Sequence, residues 1–563
     1  MVVFQFLAFY SLLFLLGRGL TQAINFFFIK DETLVDKKIF GINFEFYYPI
    51  LALFFIGNTV VILNFFTGVN NYFLVFLIAA ALLFNIRKKP TIKFSFFGFL
   101  NYVLIPSILS ISSKDLGMHP DTGLYHLNYQ NWIRSEKIAI GITNTNERFG
   151  YSSIYDHISS ALWFGDNFLL LHFLNLSFIV IFFHFLSFNL FNNKNRDMFM
   201  LSYFILLFGI LDNFGFSGGR NGFIYIEGIG KPDVGFAIIF FLTNILLITS
   251  IRKKSYSNLD FFVASLMALF TIQLRVFGIL CLFLLGYYLL EMCNYKLINI
   301  FKKLKLLITS VVFGLSWMLK NVLISSCLFF PVEITCLHFL SWNKFEHAEN
   351  AAYVVQDFYY GLPTEDGLSG WYRHWMSSPH NSALAKNFIL SLLLISIIRI
   401  IFFKGRSKFN TRLNTFIFIY IVINYYMWLY NAPAIRLAMG TLLLTIGILG
   451  LGDLELRFKN NFFKLYENKA IITLTIVLCT LLVPRAYKYI EFIKNPLESN
   501  FAGAGITETV DNPRGWGLVP KEGSECEVNI DCVPYPVEVT LSYSSFLNYK
   551  IFIPPEEWTK YGE

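Results

Sequence analysis

The chain has 563 residues, 55% of them hydrophobic and only 15% charged, with a mean hydropathy of +0.55. Soluble chains carry about 25% charged residues, so a water-soluble globular fold is excluded and a polytopic membrane protein is indicated. The net charge of +8 resides in short clusters between apolar stretches, where membrane orientation explains it; no nucleic-acid partner is indicated.

A helix needs about 20 apolar residues to cross a bilayer, fewer when it is short or re-entrant. In chain order the candidate spans are Val2 to Leu20, Tyr47 to Phe66, Tyr72 to Ile86 and Phe94 to Ile111. After a polar interruption come Phe168 to Phe188, Met198 to Phe216, Val234 to Ser250, Phe261 to Leu274 and Phe277 to Leu290. Leu306 to Leu319, Phe388 to Phe403, Leu413 to Tyr430, Leu437 to Leu451 and Ile471 to Leu482 complete a predicted all-α bundle of about 14 transmembrane helices. Met1 to Leu20 has no basic leader or small-residue cleavage site and reads as a retained first helix.

Basic clusters orient this topology. Arg87-Lys88-Lys89, Lys194 with Arg196, Arg252-Lys253-Lys254, Lys302-Lys303-Lys305, Lys404-Arg406-Lys408 and Arg457-Lys459-Lys464 all fall on one side, which the positive-inside tendency makes cytoplasmic. The organisation that follows is N-terminal spans over 1–111, a first large extracytoplasmic loop over 112–157, a bundle over 158–484 with extracytoplasmic loops 217–233 and 330–386, and a small extracytoplasmic C-terminal lobe over 485–563. Residues able to do chemistry therefore gather outside the cytoplasm.

The loop 112–157 holds Asp115, His119, Asp121, His126, Glu147, Arg148, Asp156 and His157. Ionisable groups at the mouth of an apolar bundle are a site hypothesis by default. Asp121, in HPDTGLYH, is fixed by a Pro120–Gly123 turn and suits a general base; the same context also suits an Asx turn or helix N-cap. Asp115 and His119 are near enough in sequence to share the site. A second set is cationic and falls at outer helix ends: Arg148, Lys231 beside Asp233 in GKPDVG, Arg275, Lys320 in WMLKN and Arg436 in APAIR. Such cations stabilise a departing phosphate in a low-dielectric cavity, although each singly also suits a snorkelling anchor. Trp371 and Trp375 either stack on sugar faces or belong to an interfacial belt. Cys526 and Cys532 are close enough for a local disulfide on an oxidising side. No Cys/His ligand pattern exists; no cofactor is called for, and a divalent metal is left open.

The ordered set PDTGLYHLNYQNWI, ERFGYSS, GKPDVG, WMLKN with FFP, APAIR and a CxxxxxC-VPYP tail resembles GT-C-type polytopic membrane glycosyltransferases, close to a subgroup of large bacterial multi-span proteins. That resemblance implies a many-helix bundle in a bacterial cytoplasmic (inner) membrane, with its active site facing the periplasm or exterior. It implies an acidic base in the first large loop, Asp121 with Asp115 as the weaker candidate, and a polyprenyl-phosphate-linked sugar as donor. Lys320 and Arg436 would face the donor phosphate, with Arg148, Lys231 and Arg275 assisting, and His119, His126, Asp233, Trp371 and Trp375 would line the substrate. The chain departs from the family pattern in lacking a paired acidic motif in that loop.

The expected function is thus an inverting sugar transfer to an envelope glycan, lipid or protein acceptor. A surface-polysaccharide polymerase or ligase and a lipid-linked glycan transporter are the alternatives; few deep ionisable residues other than His172 and His184 disfavour transport.

Overall fold

The computed structural model describes residues 2–24, 38–70, 72–86, 96–112, 118, 121–163, 165, 167–192, 196–211, 231–344, 348–353, 367–405, 411–451, 454–456, 505–544 and 548–555. The molecule is mostly helical, as an apolar chain must be when lipid offers the backbone no hydrogen-bond partners.

Among the described residues seven helices are long and apolar enough to cross a membrane: Val2–Ala23, Phe44–Asn64, Leu169–Phe191, Asp233–Lys253, Leu297–Ser325, Asn381–Ile400 and Arg412–Asn431. Five more apolar helices are shorter: Phe96–Ile111, Asp197–Gly209, Asn258–Leu274, Val276–Met292 and Ile435–Gly450. The expectation of 14 spans goes beyond these; its last segment, Ile471 to Leu482, lies outside the described residues. The break expected at Arg275 is present, where Asn258–Leu274 ends and a 3-10 turn, Val276–Leu280, begins.

Asp233–Lys253 is the axis of the bundle, with its apolar window wholly buried. It packs against Leu169–Ser187, Asn258–Leu274, Cys281–Met292 and Met439–Gly450. Its 21 residues span about 31 Å at 1.5 Å each, the thickness of a hydrocarbon core. Asp233 and Lys253 therefore mark opposite ends of the bundle. Val2–Ile24, Tyr48–Asn64 and Tyr72–Ile86 pack together to one side.

Buried amides register the helices where apolar packing is non-directional. Asn58 and Gln273 exchange hydrogen bonds of 3.1 and 2.7 Å, joining two helices, and the Tyr420 hydroxyl donates to Asn244 at 2.8 Å. Interhelical bonds of this kind contribute about 0.6–2 kcal/mol each in membranes.

Within the large loop expected over 112–157, the described residues from 121 on form instead a compact layer of short helices that runs on to Ser160: Leu127–Ser135, Ile142–Asn144, Glu147–Tyr151 and Ile154–Ser160. Most of its side chains are buried because two other segments cover it. One is the tail, with antiparallel hairpins Thr509–Asp511/Leu518–Pro520 and Thr540–Tyr543/Lys550–Ile553. The other follows Ser325 and is closed by a Cys327–Cys336 disulfide. The two cysteines are nine positions apart and meet through the turn after Ser325.

Candidate functional site

Four segments far apart in sequence meet at the Asp233 end of the axial helix. Pro232 and Asp233 open that helix, and the Asp233 side chain is only 2% exposed. A bare carboxylate there would be costly, and two arginines compensate it. Arg275 donates from Nη2 at 2.6 Å and from Nε at 3.1 Å, both to Oδ1. Arg436 brings its Nε to 3.6 Å from Oδ2, an ion contact longer than a hydrogen bond.

Asp121 and Lys231 adjoin this group. Lys231 Nζ donates to Asp121 Oδ2 at 2.6 Å, with the lysine side chain 3% and the aspartate 30% exposed. Asp121 stands at the start of its helix yet makes no side-chain cap bond; its carboxylate goes to Lys231 instead, which decides against the N-cap alternative. Among the described residues the cluster thus holds three cations and two carboxylates, one positive charge over.

The Arg275 position is built by the break between helices. Ser153 Oγ donates to the Leu274 carbonyl at 2.9 Å. A Cβ on Gly278 would lie 2.4 Å from the Thr271 backbone, so only glycine lets the turn close against the preceding helix. Gly278→Ala is expected to cost about 1–3 kcal/mol and to displace Arg275, measured as a lower melting temperature in detergent.

Tyr125 links this cluster to a second one. Burial pushes its hydroxyl well above the ordinary tyrosine range; Asp121, Asp156 and Asp233 add to the shift and Arg275 opposes it. Its ring lies 4.0 Å from that of His126. His126 Nδ1 donates to Asp156 Oδ1 at 2.9 Å, and Gln130, itself held by Trp163, donates to the same oxygen at 3.2 Å. The Ser153 amide donates to Oδ2 at 3.1 Å in a capping box. Burial alone would raise the Asp156 pKa, but His126 and these hydrogen bonds hold it below the usual carboxylate value. The partnership of Asp156 was not assigned from sequence, although Ser-x-x-Asp ahead of an apolar run carries the capping-box signal.

Lys320 occupies a different place from the one expected beside Arg436. It is 1% exposed, donates to Ser152 Oγ at 2.9 Å and lies 3.6 Å above the Trp317 ring. Ser152 in turn donates to Tyr129 at 3.1 Å. His157 is next to it: its Nδ1 donates to the Ser153 carbonyl at 3.2 Å, and its buried Nε2 meets no hydrogen-bond partner among the described residues. Burial, then the nearby Lys320 charge, pull the His157 pKa from 6.5 down to about 3.

A histidine with a lowered folded pKa stabilises the fold fully above its unfolded value, and that contribution is lost as pH falls toward the folded value. Lowering the pH from 7 to 5 is therefore expected to remove about 2 kcal/mol through His157. His157→Asn should flatten the corresponding fall in melting temperature between those pH values.

The remaining candidates divide. Arg148 makes no ion pair among the described residues; it lies near Tyr151, which also senses Arg275. Trp375 donates from Nε1 to the Pro433 carbonyl at 2.6 Å and Trp428 to that of Ala434 at 2.8 Å, so these rings brace the loop carrying Arg436. Trp371 packs beside Trp375 with centroids 6.2 Å apart. Cys526 and Cys532 form a disulfide. Asp115 and His119 lie outside the described residues. Among the described residues no three His, Cys, Asp or Glu side chains gather as a metal site would require.

The stapled segment covers the Asp121 helix. Glu527 N–H donates to the Gly123 carbonyl at 2.8 Å, Asn131 to the Val528 carbonyl at 2.8 Å, and Asn128 to the Asn529 carbonyl. Lys550 pairs with Glu136 at 3.0 Å.

The sequence model of a domain of unknown function (DUF8201) matches residues 1–443. The chain belongs to the DUF8201 family. The match takes in every member of the Asp121–Lys231–Asp233–Arg275–Arg436 cluster as well as Asp156 and Lys320, so the family domain carries the site and the tail that covers it lies beyond. No curated protein and no solved structure matches the chain.

Proposed function

We propose that this protein is a GT-C-like glycosyltransferase of the bacterial cytoplasmic membrane, with about 14 spans in all, that moves a sugar from a polyprenyl-phosphate donor to an envelope acceptor. One observation carries the reading: Lys231, Arg275 and Arg436, from three separate segments, surround two carboxylates at one end of the bundle with a positive charge in surplus. A lipid-borne phosphate fits such a place, since its carrier stays in the bilayer while its anionic head meets the cations. The position of the cluster at the end opposite Arg252 and Lys253 supports an extracytoplasmic face for it and for the C-terminal lobe in this reading.

In this reaction the acceptor hydroxyl oxygen attacks the anomeric carbon and its proton passes to Asp121. The bond from that carbon to the phosphate oxygen breaks, and the electron pair leaves with polyprenyl phosphate. Arg275 and Arg436 stabilise the charge that develops on the departing oxygen, and Lys231 turns from Asp121 to the phosphate. The chemistry demands positioning and phosphate stabilisation above all. Lys320, held on Ser152, is left to shape the floor beside His157.

The test is mass spectrometry of lipids retained by the purified protein, paired with transfer from short-chain polyprenyl-phosphate sugars. Wild type should retain a polyprenyl phosphate that Arg275→Met and Arg436→Met lose. Absence of both retention and transfer would overturn the reading, and elongated glycan products would move it to a polymerase.

A further inference from the structure

The helix Leu297–Leu304, sequence LINIFKKL, has no buried residue. At about 100° per residue its five apolar side chains, Leu297, Ile298, Ile300, Phe301 and Leu304, fall in one arc of about 160°, with Asn299, Lys302 and Lys303 on the rest. Leu297, Ile298 and Phe301 are 71%, 63% and 67% exposed. An apolar face this open is covered by something outside the chain.

Length shows where this face lies. Leu297–Ser325 is a run of 29 residues, interrupted by the 3-10 turn Lys305–Leu307. The part after the turn, Ile308–Ser325, has 18 residues and by itself reaches about 27 Å, close to the thickness of a hydrocarbon core. Its far end belongs to the site layer, since Thr143 donates to the Ile324 carbonyl at 2.9 Å. The eight residues before the turn are therefore surplus at the opposite surface. Their apolar arc runs on into the outward row Ile308, Val311, Val312, Leu315 and Leu319, all exposed along the spanning helix.

Charge completes the case. Lys303 donates to Asn258 Oδ1 at 2.5 Å, which ties the helix to the start of Asn258–Leu274, while Lys296, Lys302 and Lys305 are exposed. A second copy of the chain would bring like charges together on this face; a surface of phosphate headgroups over acyl chains matches both the lysines and the apolar arc. We infer that Leu297–Leu304 lies along the bilayer interface and binds anionic phospholipid, with Lys296, Lys302 and Lys305 on the headgroups and Phe301 among the upper acyl chains.

The experiment uses the full chain in nanodiscs of phosphatidylcholine with phosphatidylglycerol. Cys281 and Cys293 are buried and four other cysteines are bonded, so in a Cys479→Ser background a spin label goes to Phe301→Cys, and separately to Leu297→Cys. Each label should be relaxed by oxygen and not by an aqueous nickel chelate, at a depth of about 5–10 Å below the headgroups. Relaxation by the chelate, or shielding from both agents as against a protein surface, would overturn the placement. In native mass spectrometry the variant K296Q/K302Q/K305Q should retain at least about threefold less phosphatidylglycerol than wild type, since each lysine near an anionic surface adds to the attraction. Equal retention would overturn the headgroup assignment.

Discussion

Asp233→Ala is expected to lower stability by up to about 3–5 kcal/mol, because it strips the buried counter-ion from Arg275 and Arg436 and leaves a partly buried positive cluster. The carboxylate is 2% exposed and meets guanidinium nitrogens at 2.6, 3.1 and 3.6 Å, so its charge is balanced by the two arginines rather than by bulk solvent. Unfolding of the purified protein followed by temperature or denaturant measures the loss. Adding Arg275→Met to Asp233→Ala should recover part of it, since the double variant leaves one uncompensated guanidinium, Arg436, in place of two; a double variant less stable than the single one would refute the counter-ion explanation. The loss also separates Asp233 from a purely substrate-lining role, because it appears without any ligand.

Asp121→Asn is expected to leave the fold near wild type and to reduce sugar transfer by about 10²–10⁴-fold, the usual contribution of a positioned base. The difference from Asp233 follows from exposure. Asp121 is 30% exposed, and Lys231, which loses its partner in the variant, still has the Asp233 carboxylate near enough to act on it electrostatically. Rates with a short-chain donor, measured beside melting temperature, check both halves. Transfer at the wild-type rate would take Asp121 out of the mechanism while leaving the phosphate site standing.

The members of this cluster were legible because ionisable residues are scarce in so apolar a chain, and those at helix ends stand out. Asp121, Lys231, Asp233, Arg275 and Arg436 could all be nominated one by one. Their pairing could not. Asp233 serves two arginines 42 and 203 positions ahead of it, and no local period encodes such a contact. Lys320 shows the converse: the same signal nominated it for the phosphate, and tertiary packing set it on Ser152 and Trp317. The Asp156 partnership with His126 spans 30 residues and was hidden for the same reason, despite its capping signature. Among the helices, the apolar windows fall on the seven long apolar helices of the described residues, but the start at Leu297 was missed because three lysines interrupt the hydropathy just where the 3-10 turn falls.

The cover over the first polar layer bears on how the molecule is made. Asn128 and Asn144 find backbone partners at Asn529 and Phe552, 401 and 408 positions later. A ribosome threading this chain into the bilayer delivers Asp121 and Asp156 early, and their lining waits through most of translation for its other half. A chain cut short before Glu527 would therefore lack the wall around Gly123.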